Sequence, residues 1–382
     1  MSGASCAPAA PLFLFNGAAG QCLRVAQGRI AEPEPAPGDL HLDLRGDRLL
    51  PGLVNAHDHL QLNGLPRLHY RPQPYRNVRE WIADITPRLG TEAGLRAYRA
   101  LPRAQRLRQG ALKNLLSGVT TVAHHDPGDA ALQAPDFPVN VPPLAWSHSL
   151  GLDGEAAVAA SQCEAPTGQP WIIHAAEGLD AEAAAEFDRL EALGCITART
   201  VLVHGLALDE AQQQRLLDAQ AGLVCCLGSN RHLFGRVPRP RRLLAAGRVA
   251  LGSDSRISGE RDLLAELALA RETWHLPEAE LERLVTAQPA ALLRLPDAGH
   301  LRPGARADLL VLPADLPLSR ASRADLRLVL AGGRPRHADA AYAALLQHRV
   351  DWRPARLDGR PRALAADLGW PERALAEPGL EA

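Results

Sequence analysis

The sequence predicts an α/β fold: a (β/α)8-type, TIM-like barrel with one irregular strand, plus a small β-sandwich formed from both chain ends. The chain has 382 residues, enough for such a barrel and a smaller appendage. Across residues 51–295, short apolar runs alternate with Ala-, Leu-, Glu- and Arg-rich stretches, as is typical of parallel strands joined by helices. Both ends instead contain brief apolar runs broken by Gly and Pro, which indicate short strands and turns.

The first and last strand-like segments are expected to form one domain together. Residues 1–50 contain LFLF, CLRVAQGRIA and LHLDLRGDRLL, and residues 296–340 return to such text in LRPGARADLLVLP and LRLVLAGGRPRH. We therefore predict a composite β-sandwich of residues 1–50 and 296–340 and a barrel of residues 51–295. A carboxyl-terminal extension, residues 341–382, would begin with the helical text AAYAALLQH.

Seven apolar runs are expected to be barrel strands. They are LPGLVNA before His57, VTTVAHH, PLAWSHS, WIIHA, TVLVHG, GLVCCLG and VALGSDS. Helices are expected over residues 95–117, 180–193, 209–219, 261–274 and 278–287. Between His125 and Trp171 there is room for about one and a half strand–helix units, so one strand there is expected to be short, irregular or absent.

Composition and charge exclude several classes of protein. Hydrophobic residues make up 46% of the chain and charged residues 22%, which favours a globular protein. The formal net charge of −1 argues against nucleic acid or anionic lipid as a partner bound by charge. No apolar run is long enough to cross a bilayer, and the start MSGASCAPAAPLFLF does not resemble a secretory signal. Six cysteines without a CxxC pair favour reduced thiols, so we expect a cytoplasmic protein whose metal ligands, if any, are His and carboxylates.

The first candidate site is the pair His57 and His59, directly after a predicted strand. Because side chains alternate along an extended chain, residues two apart point the same way and can share one cation. Alone, such a pair among 14 histidines is weak evidence, and a structural or surface role is the alternative. Asp58, between them, is expected to point away from the cation and to serve the structure.

Three more predicted strand ends carry polar residues. His174 follows WII and precedes Glu177 by three residues, His204 follows VLV, and Asp254 ends VALGSD. In a parallel barrel these residues would converge at the carboxyl ends of the strands, where such barrels build their sites. A buried carboxylate or imidazole is costly unless it is paired or ligated. Together with the His57 pair, the pattern therefore indicates a metal site.

The segments LLPGLVNAHDHL, HAAE, VLVHG, ALGSDS and LRPGARADLLVL, taken in order, resemble the signature of the amidohydrolase superfamily, roughly over residues 40–315. Within it, the chain is similar to the cytosine deaminase, guanine deaminase and chlorohydrolase-like branch, in which a Glu follows the fifth-strand His by three residues. The text CCLGSNRHLFG resembles the seventh-strand segment of that branch in its pair Ser229-Asn230, although the proline usual there is missing.

The resemblance implies that His57, His59, His174 and Asp254 bind one divalent metal ion. Zinc is the first expectation, with iron or manganese as alternatives, because three imidazoles and one carboxylate suit more than one metal. Such an ion lowers the pKa of its bound water to about 7. The only lysine, Lys113, lies in a predicted helix before the second strand, which argues against the lysine-bridged binuclear site of some relatives. A bridging carboxylate stays open.

The resemblance also implies catalytic roles for Glu177, His204 and Asp254. Glu177 would carry a proton between nucleophile and substrate, with a surface position near the next helix as the alternative. His204 would hydrogen-bond the nucleophile or the developing oxyanion, and Asp254 would accept a proton from the attacking water. Further pocket candidates, on position alone, are His124, His125, Trp146, His148, Asn63, His69, Arg231 and His232.

These expectations favour a metal-dependent hydrolase of C–N bonds other than peptide bonds, which deaminates a small aminated heterocycle by metal-hydroxide attack. A second enzyme hypothesis uses the same site for cyclic amide hydrolysis or dechlorination, since the pocket rather than the metal selects the leaving group. A hypothesis from another class is a non-catalytic barrel scaffold. Such proteins usually lose a metal ligand or the proton shuttle, whereas here the four ligands, Glu177 and His204 are all present. We expect a small-molecule substrate, no nucleic-acid or membrane partner, and a homodimer by default.

Overall fold

The computed structural model describes residues 10–368 and 377–381. The described strands are β1 Leu12–Phe15, β2 Leu23–Ala26, β3 Arg29–Ala31, β4 Leu40–Asp43, β5 Arg48–Pro51, β6 Leu53–Asp58, β7 Val119–His124, β8 Ala145–Ser149, β9 Trp171–Ala175, β10 Thr200–His204, β11 Gly222–Cys225, β12 Val249–Leu251, β13 Leu309–Leu312, β14 Leu328–Ala331, β15 Arg334–Ala338, β16 Trp352–Leu357, β17 Arg360–Ala365 and β18 Leu380–Glu381. The described α-helices are α1 Val78–Thr91, α2 Ala93–Ala100, α3 Arg103–Leu116, α4 Leu150–Asp153, α5 Glu155–Glu164, α6 Ala181–Ala192, α7 Glu210–Asp218, α8 Leu227–Phe234, α9 Arg241–Ala245, α10 Leu263–Trp274, α11 Glu278–Arg283, α12 Ala287–Leu292 and α13 Ala340–Leu345.

The seven apolar runs predicted as barrel strands are all strands, β6 to β12. Strands β8 to β12 form a parallel sheet in sequence order, and β6 pairs in parallel with β7. Beyond β12, the backbone N–H of Asp254 donates to the carbonyl of His57 in β6 at 3.1 Å. The carboxyl ends of the first and last of these strands therefore lie side by side.

The segment between β7 and β9 contains the predicted irregularity. Among its described residues, β8 is the one regular strand, and Asn140 adds an isolated parallel bridge to Thr121 of β7. The text DFPVNVPPL around Asn140 is rich in proline, which supplies no N–H for a longer ladder. This side of the barrel is therefore covered by loop rather than by a full strand and helix.

The barrel strands are apolar on both faces, as expected for parallel strands covered by helices. Val54, Ile172 and Val203 belong to one buried cluster, whereas Ile173 and Leu202 belong to a second cluster that includes helix residues. The two clusters alternate along each strand because successive side chains point to opposite faces. This packing holds the strand ends that carry the candidate site.

Proline explains where the predicted helices differ from the observed ones. The prediction of one helix over residues 95–117 is wrong, because Pro102 forces Leu101 into an extended conformation between α2 and α3. The prediction over residues 278–287 is also too long, since α11 ends at Arg283 and Pro289 in α12 lacks the N–H that a continuous helix would need. The sequence did not predict α1, whose pattern is interrupted by a proline.

Strands from the two chain ends share a sheet and a core. β5 pairs antiparallel with β13 in a sheet of order β18-β16-β17-β15-β14-β13-β5. A second sheet, of order β3-β2-β1-β4, contributes Leu12 and Leu14 to the core that also contains Leu309 and Val311. The tail strands β16 to β18 extend the first sheet.

Among the described helices, none combines the length and the apolar character that crossing a lipid bilayer would require.

Candidate functional site

The residues predicted to form a site lie together at the carboxyl ends of the barrel strands. β6 carries His57 and leads into His59, β9 carries His174, β10 ends at His204, and Asp254 follows β12. Each of these residues is at most 9% exposed. The fold therefore gathers distant parts of the sequence into one enclosed cluster.

Four side-chain atoms of this cluster face one another. His174 Nε2 lies 3.3 Å from His57 Nε2 and 3.4 Å from His59 Nε2. Oδ1 of Asp254 lies 3.8 Å from Nε2 of His57 and 3.9 Å from Nε2 of His59. Tetrahedral ligands bound at about 2.0–2.1 Å lie about 3.3–3.4 Å apart, so this spacing suits one divalent cation between the four atoms.

Two of these imidazoles are oriented by acceptors on their other ring nitrogen. Nδ1 of His59 donates to Asp126 Oδ2 at 2.6 Å, and Nδ1 of His174 donates to the backbone carbonyl of His148 at 2.8 Å. With the proton on Nδ1, each Nε2 keeps its lone pair for a metal ion.

The third imidazole, His57, is held through another histidine. Its Nδ1 lies 3.3 Å from Nδ1 of His125, and Nε2 of His125 donates to the carbonyl of Ser147 at 2.8 Å. Because His125 gives its proton to Ser147, its Nδ1 is free to accept the proton of His57 Nδ1. This series of hydrogen bonds again leaves the lone pair of Nε2 of His57 free.

Burial and neighbouring charges set the protonation of the cluster. Burial, followed by the neighbouring histidines, lowers the pKa of His57 and His174 well below the usual value. Burial also lowers the pKa of His59, but Asp126 outweighs it and raises that pKa to about 9. Burial raises the pKa of Asp254, yet nearby histidines, His59 first, outweigh it and leave that pKa below its usual value. A cation that binds here would displace a proton from His59.

Glu177 and His204 form a pair beside the four ligand atoms. Nδ1 of His204 donates to Asn230 Oδ1 at 2.8 Å, and its Nε2 lies 3.5 Å from Glu177 Oε1. Burial, and then the charges of Asp254 and Glu186, raise the pKa of Glu177 well above its usual value. Glu177 can therefore hold a proton in this enclosed setting and pass it to a neighbouring group.

Three residues at these strand ends have left-handed backbone conformations. The φ angles are 54° at Ala176, 76° at His204 and 51° at Asp254. A residue other than glycine pays about 1–3 kcal/mol for such a conformation, which persists only where its surroundings fix it. Strain at the strand ends that carry His204 and Asp254 is consistent with a functional site.

Some of the further sequence candidates line this cluster. The rings of His125 and His148 both stack on the ring of His174, with centroids 4.3 Å and 4.6 Å from its centroid. Trp146 packs edge-on against His125 at 5.3 Å. These three side chains surround the ligand histidines.

Other candidates have different partners. His69 and His232 pack against each other with ring centroids 5.4 Å apart, and Arg231 pairs with Glu260 at 2.8 Å. His124 accepts a hydrogen bond from a backbone N–H at 3.4 Å. The structure gives these residues packing and surface contacts rather than contacts with the ligand atoms.

Asp58 and Asn63 belong to a buried polar network. As predicted, Asp58 serves the structure: its carboxylate accepts hydrogen bonds from Lys113 at 3.2 Å, Asn114 at 2.7 Å and Asn63 at 2.9 Å. Lys113 lies in α3, in agreement with the helix predicted for it.

Sequence reasoning missed Asp126, the partner of His59. It comes two residues after β7, so its signal was an acidic residue just past a barrel strand, the same signal that identified Asp254.

Two other groupings of potential ligands share His57. One joins His57, His125 and His174, and the other joins His57, His204 and Cys226, with ligand atoms within 4.8 Å of one another. Both ring nitrogens of His125 are engaged, Nε2 with the carbonyl of Ser147 and Nδ1 with His57, and burial raises the pKa of Cys226, which disfavours the thiolate. The grouping with Asp254 carries the negative charge that balances a cation.

Comparison with known proteins agrees with this picture. The amidohydrolase family model matches residues 155–336. A 5-methylthioadenosine/S-adenosylhomocysteine deaminase of Haloquadratum walsbyi is 28% identical over 329 residues, which cover 72% of this chain and 73% of that protein. An 8-oxoguanine deaminase of Pseudomonas aeruginosa is 28% identical over 436 residues, covering 87% of this chain and 93% of that protein.

A solved structure shows the same fold. An adenosine deaminase from Xanthomonas campestris with bound zinc superposes with a TM-score of 0.69 at 18% sequence identity. The match covers 88% of this chain and 96% of that chain. The shared fold supports a TIM-like barrel here.

Proposed function

We propose that the chain, which matches the amidohydrolase family model over residues 155–336, is a member of the amidohydrolase superfamily and deaminates a small aminated heterocycle with the help of one bound divalent metal ion. The proposed ligands are His57, His59, His174 and Asp254. The observation that carries the proposal is that Nε2 of His57 and Nε2 of His59 each lie 3.3–3.4 Å from Nε2 of His174 and 3.8–3.9 Å from Oδ1 of Asp254, in a buried cluster. Zinc is the proposed metal, because three nitrogens and one oxygen suit it and because the Xanthomonas deaminase was solved with zinc.

A metal ion at this position supplies a water molecule whose pKa falls to about 7, and so a nucleophile at neutral pH. The residues of the chain would do the rest. Asp254 accepts a proton from the nucleophile, and His204 Nε2, free because Nδ1 is bonded to Asn230, accepts a hydrogen bond from it. Glu177 would give its proton to the ring nitrogen, take up a proton from the attacking water and give that proton to the amine, which leaves as ammonia; the proton accepted by Asp254 would then restore Glu177. The raised pKa of Glu177 favours this role.

The enclosure of the site supports a small substrate. Glu177, His174 and Asp254 are each at most 6% exposed, so a large or rigid polymer could not reach them. The three similar proteins described above are named as deaminases of a purine base and of nucleosides or nucleoside derivatives. We therefore place aminated purines and their nucleosides first among the substrates to test.

We also propose the finer architecture. The barrel of residues 51–295 would close through the contact between Asp254 and His57, and the two terminal sheets would face each other as a β-sandwich of residues 1–50 and 296–340. Strands β16 to β18 of the tail would then extend the sandwich. The shared core of the two terminal sheets supports this division.

The test is ammonia release from a panel of aminopurines, aminopyrimidines, aminotriazines and pterins by the zinc-loaded protein. The variant Glu177→Gln should retain zinc but lose about 10²–10⁴-fold in turnover, because it removes the proton carrier. Glu182→Gln, a nearby exposed change in the first turn of α6, should keep full activity.

Different outcomes lead to different conclusions. Ammonia release that Glu177→Gln removes would establish deamination and begin to identify the ring. Zinc-loaded protein that releases no ammonia but opens cyclic amides or releases chloride would replace deamination by that reaction. Protein that retains no metal would contradict the whole proposal.

A further inference from the structure

The one lysine of the chain is buried beside the candidate metal centre. Lys113 is the single lysine among 382 residues, and its side chain is fully buried in α3. All the other residues counted as Lys or Arg are arginines. An ammonium group in the interior is costly unless its protons are bonded, so its partners show what it does.

The ammonium group has four oxygen partners, which follow the first and the last of the barrel strands. Nζ donates to Asp58 Oδ2 at 3.2 Å and to Asn63 Oδ1 at 2.8 Å, which follow the first barrel strand. It also donates to Ser253 Oγ at 3.0 Å and to the backbone carbonyl of Asp254 at 2.9 Å, which follow the last one. Three protons shared among four oxygens thus link the two segments that carry proposed ligands.

Three of these four partners adjoin a proposed ligand in the sequence or belong to one. Asp58 sits between His57 and His59 in the sequence, and it is fully buried. On the other side, the bonded carbonyl belongs to Asp254 itself. Lys113 therefore contacts the residue between two proposed ligands, and it directly contacts the backbone of a third.

Asp254 needs such support. Its φ of 51° is a left-handed conformation that residues other than glycine rarely adopt. Its N–H donates to the carbonyl of His57, and its own carbonyl accepts from Lys113. Both sides of the strained residue are thus tied, one to the first ligand strand and one to the lysine.

We propose that Lys113 is a positioning residue of the metal centre: its ammonium joins Asp58 to the strained backbone of Asp254 and so holds ligands of the first and last barrel strands at metal-binding separation. This inference rests on the proposed function, because it concerns the same four ligands. It differs from a general stabilising role, which any well-buried residue of α3 could fill.

The first experiment compares two variants of the metal-free protein in zinc competition with a chelator. Lys113→Met keeps most of the side-chain volume but removes all four hydrogen bonds, and it should weaken zinc binding about 10- to 100-fold, as loss of groups that orient ligands commonly does. Leu115→Ala, equally buried in α3, should lower the unfolding midpoint but leave zinc affinity unchanged. Zinc affinity of Lys113→Met equal to wild type, or an equal loss in both variants, would overturn the positioning role.

A second experiment needs no variant and so holds even if Lys113→Met fails to fold. Protein labelled with 15N-lysine contains one lysine side-chain signal, because the chain has one lysine. We expect this ammonium signal to exchange slowly with water and to shift when zinc is added. A signal that zinc leaves unmoved would refute the link between Lys113 and the ligands.

The two proposals fail in different ways. Wild-type protein that binds zinc, shows the lysine shift and deaminates nothing on the panel would refute the proposed reaction and keep the positioning role. Wild-type protein that deaminates while Lys113→Met binds zinc normally would do the reverse.

Discussion

Asp126 shows how one contact can govern a proposed metal ligand. It holds Nδ1 of His59 at 2.6 Å, fixes the direction of the ring, and accounts for the raised pKa of that histidine. Its side chain is 22% exposed, so water screens the pair only in part. A carboxylate in this position makes the imidazole a better ligand once the Nε2 proton is gone.

We predict that Asp126→Asn lowers zinc affinity about 10- to 100-fold, because an amide orients the ring less firmly and does not increase its basicity. The measurement is competition between protein and a chelator for zinc at neutral pH. Asp129→Asn is the matched control: this carboxylate lies in the same loop, where it caps a short helical turn and pairs with Arg103. Equal zinc affinity in the two variants would show that Asp126 does not orient a ligand.

At the residue scale, the sequence identified the residues whose chemistry follows from position along a strand. His57, His174, His204 and Asp254 stand at or just past strand ends, and the periodic apolar runs mark those ends. The orienting partners could not be predicted in the same way. The contacts of Asp126 and Lys113 join segments that only the folded chain brings together. The ligand roles themselves stay a prediction until metal binding is measured.

At the scale of elements, β15 contains a histidine that the proposed reaction does not use. His337 is fully buried, and neither ring nitrogen has a hydrogen-bond partner among the described residues. Burial, and then the positive charges of Arg362 and Arg323, lower its pKa to about 3. In the unfolded chain the pKa of histidine is about 6.5. Between these values the unfolded chain binds more protons, so the stability from neutral His337 is present above pH 6.5 and is lost as the pH falls toward 3.

Replacement of this histidine by an apolar residue should therefore remove part of the acid sensitivity. Between pH 7 and pH 5, the free energy of unfolding of the wild type should fall by about 2 kcal/mol more than that of His337→Leu. Urea unfolding of the metal-free proteins at both pH values measures this difference. His348→Leu, at an exposed position near α13, should behave as the wild type does. Parallel pH profiles for wild type and His337→Leu would show that the ring is not held neutral.

The elements were predictable to the extent that local pattern determines them. Apolar runs of four to six residues became β6 to β11, because parallel strands are buried on both faces. The predicted helix ends were wrong near Pro102 and Pro289. Proline changes where a helix begins or ends because it lacks one N–H. The tail text around Trp352–Leu357 and Arg360–Ala365 is rich in Arg and Pro, and it becomes a sheet because β16 pairs with β17 and β17 pairs with β15.

At the scale of the whole molecule, the carboxyl-terminal tail is tied to the barrel near the candidate site. Glu377 accepts two hydrogen bonds from Arg256, at 2.8 and 2.6 Å, and one from Arg323 at 2.5 Å. The carboxylate and Arg323 are fully buried, and Arg256 lies two residues after Asp254. The tail thus balances two buried positive charges, one of them on the loop that carries a proposed ligand.

We predict that Glu377→Gln destabilises the protein by about 3–5 kcal/mol, because it leaves buried Arg256 without a counter-charge and leaves Arg323 with Asp358 as its remaining carboxylate partner. Denaturant unfolding at neutral pH measures the change. Glu381→Gln is the control in the same tail, since that side chain is 67% exposed and its contact with Arg356 is 3.9 Å long. A loss no larger than that of Glu381→Gln would mean that the tail is not fixed by this network.

The parallel strands in the middle of the chain followed from the order of the sequence patterns, because alternating strands and helices allow few arrangements. The pairing of β5 with β13 agrees with the expectation that the two ends meet. A homodimer and a cytoplasmic location stay predictions.

The most direct test of the central claim is anomalous diffraction at the zinc absorption edge from crystals of the zinc-loaded protein. We expect one peak per chain, about 2.0–2.2 Å from Nε2 of His57, His59 and His174 and from the carboxylate of Asp254. A peak held by other groups, such as Cys226, or no peak within this cluster, would contradict the proposed metal centre and the hydrolytic function built on it.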